Sequence, residues 1–119
     1  MAKIDSISFG SIVVEGKKYR RDVFLLPDGS VKQRKGGFWI FGSHNIKREE
    51  LEELSGAGAE VCVIGTGTNS QAKLSKEAKS FAEQAKLELH ILPSRQAVPK
   101  FNQLLETGKK AAALIHITC

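Results

Sequence analysis

The feature that most constrains this chain is an alternation that begins near residue 60. A continuous apolar run, VCVI at residues 61–64, is followed by a helical stripe, then by LELHIL at 87–92, a second stripe and a final apolar stretch. A run without polar alternation marks a strand covered on both faces, as in parallel sheets with helices on either side. Residues 75–86 read as the first helix: Ser75 caps it, Glu77 sits in its first turn, and Ala78, Phe81, Ala82 and Ala85 form one face. Residues 94–107 read as the second, burying Ala97, Val98, Phe101, Leu104 and Leu105 and ending at Gly108. Pro99 removes a backbone donor from its first turns. With a last strand over 110–118 this is a βαβαβ unit, whose crossovers are right-handed.

The first third has a different period. Short stretches at 6–9, 11–15, 17–20, 22–26 and 31–34 are rich in Ile, Val, Phe and Tyr, and turn signals separate them. EGKK reads as a hairpin turn and PDGS as a second turn. The segment RKGGFWIFGSHN encloses an apolar knot at 38–41, expected to pack down on the core. Residues 47–54 read as a short helix, with Asn45 as the N-cap, Leu51 and Leu54 inward, and Glu49, Glu50, Glu52 and Glu53 solvated. The expected class is α/β, and 119 residues argue for one domain over 1–119.

Charge is unevenly placed. Residues 1–48 hold ten Lys/Arg against four Asp/Glu, whereas 49–119 hold eight against nine, within a net charge of +5. A basic half attracts an acidic partner, an anionic surface or nucleic acid, although no arginine-rich block stands out. Cys62 and Cys119 have no spacing that suggests a disulfide framework or zinc site. The start of the chain lacks the apolar core of a signal peptide, and no run approaches the ~18 apolar residues of a membrane span. The expected compartment is the cytoplasm.

The first strand of the βαβαβ unit runs into GTGTNS. A dinucleotide fingerprint needs a third glycine where Ser70 stands, and an acid near the end of the next strand, which instead reads HILPS. A P-loop needs Gly-Lys-Ser/Thr, also lacking. Two readings of the turn are left. Gly65 and Gly67 permit a tight exit from a buried strand. Alternatively, the backbone N–H groups of residues 66–70, with the hydroxyls of Thr66 and Thr68, form a nest for an anion. If the strands at 61–64 and 87–92 are parallel, their exits lie side by side where open α/β sheets bind ligands. Ser94, at a helix N-terminus, would join Gly65, Thr66, Gly67 and Thr68 in a polar crevice. His44, His90 and His116 lie on separate elements without metal-ligand spacing. A Cys62–His90 pair on neighbouring strands is conceivable, but a mid-strand cysteine is ordinarily inert packing.

WIFGSHNI (residues 39–46), VIGTG (63–67) and SRQAVPKFNQL (94–104) fall in an order that resembles the family of small single-domain proteins named after a methanogen hypothetical protein, the Mth-domain family, which includes a mitochondrial complex I assembly factor and an adipogenesis-associated protein. The resemblance covers nearly the whole chain. Its marks fall here on Trp39 and His44, on Gly65, Thr66 and Gly67, and on Ala97, Phe101, Asn102 and Gly108. This chain departs from the pattern at Ser94, where threonine is usual, and at Ala59–Glu60, where Pro-Glu is frequent. The resemblance implies a three-layer α/β domain with a mixed sheet and an added N-terminal β layer, and relatives that act through other proteins rather than as enzymes.

The expectation is therefore a non-catalytic binding, adaptor or assembly-type protein with a protein partner and no cofactor or metal. Its recognition site would be a small anion-binding crevice at Gly65, Thr66, Gly67, Thr68, Ser94 and Asn102, with His44 and Trp39 at the rim. An alternative is an enzyme that acts on a small anionic substrate with His44 as acid–base group. A further alternative, nucleic-acid binding through KKYRR and KQRKGGFW, is disfavoured because Tyr19, Phe38 and Trp39 serve a core equally well.

Overall fold

The computed structural model describes residues 3–34, 45–70 and 72–118. In chain order the elements are β1 (Ile4–Ser8), β2 (Ser11–Val14), β3 (Lys17–Tyr19), β4 (Val23–Leu25), β5 (Val31–Gln33), β6 (Asn45–Ile46), α1 (Arg48–Gly56), β7 (Val61–Gly65), β8 (Lys73–Leu74), α2 (Lys76–Gln84), β9 (Glu88–Leu92), α3 (Ser94–Glu106) and β10 (Ala111–Ile115). The expected apolar knot at 38–41, with Trp39 and His44, lies outside the described residues.

The central sheet has the order β5-β4-β10-β7-β9. Strands β10, β7 and β9 are parallel, and β4 and β5 add on antiparallel, so the sheet is mixed. Alternate residues of β7 and β10 feed two separate cores. Val61, Val63, Ala111, Ala113 and Ile115 pack with α3 and with Ile4, Ile12 and Val14 of the antiparallel β1-β2-β3 sheet. Cys62, Ile64, Ala112 and Leu114 pack with Leu51, Leu54, Ala78 and Ala82 of α1 and α2. This is the expected three-layer α/β architecture, with the N-terminal β layer sharing one face of the sheet with α3.

The helices follow their sequence patterns with local corrections. Ala97, Val98, Phe101, Leu104 and Leu105 are all buried, and α3 runs unbroken through Pro99. Ser75 caps α2 as expected, accepting from the Ala78 N–H at 3.1 Å. Ala85 does not join the buried face; it is exposed and closes the helix. Asn45 is not the cap of α1: it belongs to β6, which pairs parallel with β8, and Lys47 takes the N-cap position. There the Glu50 carboxylate accepts from the Lys47 N–H at 2.9 Å, half of a capping box. Pro93 rather than Ser94 occupies the N-cap of α3; Ser94 is already helical and its hydroxyl points elsewhere.

Candidate functional site at the C-terminal rim of the parallel strands

Strand β7 pairs with β9 in parallel, Gly65 opposite Leu92, so the two exits are adjacent as the topology requires. The residues after them interlock. Thr66 donates to the Leu92 carbonyl through both its N–H, at 2.9 Å, and its hydroxyl, at 3.1 Å. The Gly67 N–H donates to Ser94 Oγ at 2.8 Å, and the Ser94 hydroxyl donates on to the His116 carbonyl at 2.5 Å. The Thr68 N–H reaches the Thr118 carbonyl at 2.7 Å, and the Ser70 N–H reaches Gly67 O at 3.3 Å. The structure thus brings Gly65, Thr66, Gly67, Thr68 and Ser94 together. Of the N–H groups expected to form a nest, those of Thr66, Gly67, Thr68 and Ser70 donate to acceptors of the protein itself, and an anion there would have to displace them.

The two glycines have separate reasons. Gly67 has φ +102°, a conformation that L side chains rarely adopt. At Gly65 the constraint is space: a Cβ would stand 2.8 Å from Ser94 Oγ and 3.1 Å from Ile115 Cδ1. Glycine at 65 lets the serine hydroxyl reach the turn, and the turn then locks onto the tail of β10.

Asn102 lies on the same helix as Ser94 but about 12 Å further along it, at 1.5 Å per residue. Its side chain accepts from the Ile4 N–H at 2.9 Å and donates to the Ile4 carbonyl at 2.8 Å, tying β1 to α3. It is a clasp for the N-terminal layer and is not brought to the turn. His90 pairs with Glu88 at 2.7 Å on β9. Cys62 is opposite Leu89, while His90 is opposite Val63, so Cys62 and His90 face opposite sides of the sheet and form no pair. Burial pushes the Cys62 thiol up to about 12, as for inert packing.

The sequence did not disclose a buried ionic cluster at the same rim. Arg34, following β5, bonds Asp22 Oδ2 through Nη1 at 2.9 Å and grips the Glu50 carboxylate through Nε and Nη2. Asp22 Oδ2 also meets His116 Nδ1 at 2.7 Å, and Asp22 Oδ1 accepts from the Ile117 N–H at 2.9 Å. His116 Nε2 lies 3.1 Å from Thr118 Oγ1. Burial alone would push the Asp22 carboxyl up; the hydrogen bond and charge of His116, the Ile117 N–H and Arg34 together hold it below its ordinary value of 3.8. The same carboxylates hold the Arg34 guanidinium above its usual range against the effect of burial. Glu50 is therefore not solvated, as its helix pattern suggested. Only the pairing of residues as distant as 22 and 116 reveals this cluster, and no local pattern encodes that.

Residues 115–118 form the hub of this rim. The β1–β2 turn joins them through the Gly10 N–H to Ile117 O at 2.8 Å, β4 through Asp22, the 66–70 turn through Thr68, and α3 through Ser94. Around the hub stand exposed side chains: Phe9, 59% exposed, and Arg20, Arg21, Asn69, Ser70 and Arg95. Among the described residues, no helix is long and apolar enough to cross a membrane.

The family described as "protein of unknown function (DUF498/DUF598)" matches residues 4–116. A solved structure called MT938 is 30% identical, with a TM-score of 0.82 over 100% of both chains. A conserved hypothetical protein from Pyrococcus horikoshii is 30% identical over 98% of this chain and 99% of its own, with a TM-score of 0.81. A Mth938-like domain from Bordetella pertussis shares the fold at 15% identity, with a TM-score of 0.71 over 98% of this chain and 85% of its own. The resemblance carried by residues 39–46, 63–67 and 94–104 is borne out.

Proposed function

Since the chain belongs to the family of unknown function DUF498/DUF598, whose Mth938-like fold it shares, we propose that it is a non-catalytic binding or adaptor protein that docks a protein partner on the C-terminal rim of its parallel strands. One observation carries this reading. Four segments distant in sequence are bonded to residues 115–118, and beside that rigid hub the aromatic ring of Phe9 is left 59% exposed. A large apolar side chain on a preformed support, ringed by polar and arginine side chains, matches the anatomy of protein interfaces. Recognition belongs to these exposed side chains, with the half-buried Thr68 at the edge of the turn, rather than to the committed amides of residues 66–68. The expected contributions of Trp39 and His44 at the rim remain part of the proposal.

The test is site-specific photo-crosslinking in the native cells. A benzophenone amino acid replaces Phe9 or Asn69 at the rim, and Glu83 or Lys109 at the opposite end serves as control. The reading predicts one defined adduct from the rim positions, competed by excess unlabelled protein. Adducts confined to the control positions would refute it.

A second reading is enzymatic, and one observation favours it. In the tautomer that directs its one proton from Nδ1 toward Asp22, His116 offers Nε2, 3.1 Å from Thr118 Oγ1, as an acceptor for the hydroxyl, a base oriented by a carboxylate. Here His116 takes the acid–base role expected of His44, which lies outside the described residues. Turnover of a small anionic substrate that is lost in Thr118→Val, with folding unchanged, would support it. Wild-type protein inert across a panel of phosphate and carboxylate esters would remove it.

A further inference from the structure

We infer that the rim is an electropositive docking face whose occupant is an acidic polypeptide segment, its carboxylates paired with Arg20, Arg21 and Arg95 and an apolar side chain seated on Phe9. This deepens the binding reading above and rests on it.

The placement follows from topology. Residues 9 and 10 close the β1–β2 turn at the end where Ser8 faces Ser11, and Arg20 and Arg21 follow β3 at that same end, since Ile12 faces Tyr19. The end is fixed at the rim by the bonds of Gly10 and Asp22 to Ile117. Arg95 approaches from the other side. The bonds between Asn102 and Ile4 fix the relative height of α3 and β1. From that level β1 climbs ~16 Å to Phe9 at about 3.3 Å per residue. The helix climbs back ~10 Å to Arg95 at 1.5 Å per residue. Phe9 is thus flanked by Arg95 on the α3 side and by Arg20 and Arg21 on the β3 side, all exposed.

The charge of the rim is of one sign. Among the described residues of this stretch of the rim (8–11, 20–21, 67–70, 93–96 and 117–118) there is no acid. The acid nearest in sequence, Asp22, is turned inward and bonded to Arg34 and His116. The opposite end of the molecule is mixed: Asp5, Glu15, Asp28, Glu60, Glu88 and Glu106 stand there among Lys3, Lys17, Lys86, Lys109 and Lys110. An acidic partner is therefore drawn to the rim, where no carboxylate offsets the arginines, rather than to the mixed far end.

Two features favour a polypeptide over single-stranded nucleic acid. Nucleic-acid platforms stack successive bases on several aromatics along a cationic track. Among the described residues, Phe9 and Ile91 are the only strongly exposed large apolar side chains, and Ile91 lies on the edge strand β9. The Tyr19 ring is half-buried beneath the Lys17 ammonium at 5.3 Å. One aromatic anchor with arginines around it suits an apolar side chain in an acidic context, with bidentate arginine–carboxylate pairing.

The experiment titrates the protein into a fluorescein-labelled peptide of three Glu-Glu-Leu-Gly repeats, and separately into its Lys-Lys-Leu-Gly counterpart and a dodecauridine RNA. The inference predicts saturable binding of the acidic peptide alone, weakening as salt rises. Phe9→Ala and the charge reversal Arg21→Glu/Arg95→Glu should each weaken it about tenfold or more. Lys109→Glu/Lys110→Glu, at the far end, should leave it unchanged. Absence of peptide binding, equal loss in the far-end variant, or tighter binding of the RNA at the same rim would overturn it. Crosslinks from Phe9 to a partner without acidic-peptide binding would sink the acidic assignment and leave the rim reading standing. Peptide binding with crosslinks only at control positions would sink the rim reading.

Discussion

Adding one methyl group at Gly65 should unlock the rim, and the structure sets the size of the effect. The Cβ of Gly65→Ala would stand 2.8 Å from Ser94 Oγ, too close for any real contact. The serine must turn away, and its hydroxyl then loses the Gly67 N–H at 2.8 Å and the His116 carbonyl at 2.5 Å. Overpacking costs about 1–3 kcal/mol, and a buried N–H left without its acceptor adds about 1–3 kcal/mol. A total of about 2–6 kcal/mol is a large share of the 5–15 kcal/mol typical of a small protein. Ser94→Ala loses the same two bonds without a clash, at about 2–4 kcal/mol. The double variant cannot lose them twice and no longer has the hydroxyl to clash with. Its destabilisation should fall short of the sum by about 2 kcal/mol. Urea unfolding of the four proteins, followed by circular dichroism, reads this coupling directly. Additivity within about 0.5 kcal/mol would show that Ser94 does not bridge the turn and the β10 tail.

Other outcomes follow from the remaining contacts. Asn102→Ala leaves both backbone groups of Ile4 without their partner and should cost about 2–3 kcal/mol, with amide exchange accelerated first in β1–β3; uniform acceleration throughout the chain would contradict the clasp. Because the folded Asp22 carboxyl lies below its ordinary 3.8, its contribution is present above that value and is lost as pH falls through the lower folded value; chemical unfolding between pH 5 and about 2 should show this acid limb, and Asp22→Asn should flatten it. In a Cys119→Ser background, Cys62, whose thiol burial pushes up to about 12, should react with iodoacetamide at pH 8 about a thousandfold more slowly than an unfolded thiol; comparable rates would mean that β7 opens readily.

Local patterning carried the C-terminal unit. The run at 61–64 and the two helical stripes specified a sheet covered on both faces, and five apolar positions of α3 are buried as their spacing required. Adjacency of the exits after β7 and β9 followed from the crossover rule. Where sequence reasoning fell short, the reason is long-range pairing. Ser94 looked like part of an open crevice because a helix N-terminus welcomes an anion, but a free path past Gly65 gave its hydroxyl partners within the protein. Glu50 looked solvated because three neighbouring glutamates are, yet it meets Arg34 from a different layer. Asn102 fitted a polar crevice by residue type and is taken by the backbone of β1. The two-residue ladder of β6 and β8 is too short to leave any period.

The most direct test of this account is an NMR titration with inorganic phosphate, following the backbone amides of residues 66–70 against those of Phe9, Arg21 and Arg95. Because Gly67 and Thr68 already donate to Ser94 and Thr118, their amide signals should stay still up to tens of millimolar phosphate, with only weak, salt-like drift near the arginines. Saturable shifts at Gly67 and Thr68 would mean that the turn opens to hold an anion, and the rim would then be a ligand site rather than a closed support for a docking face.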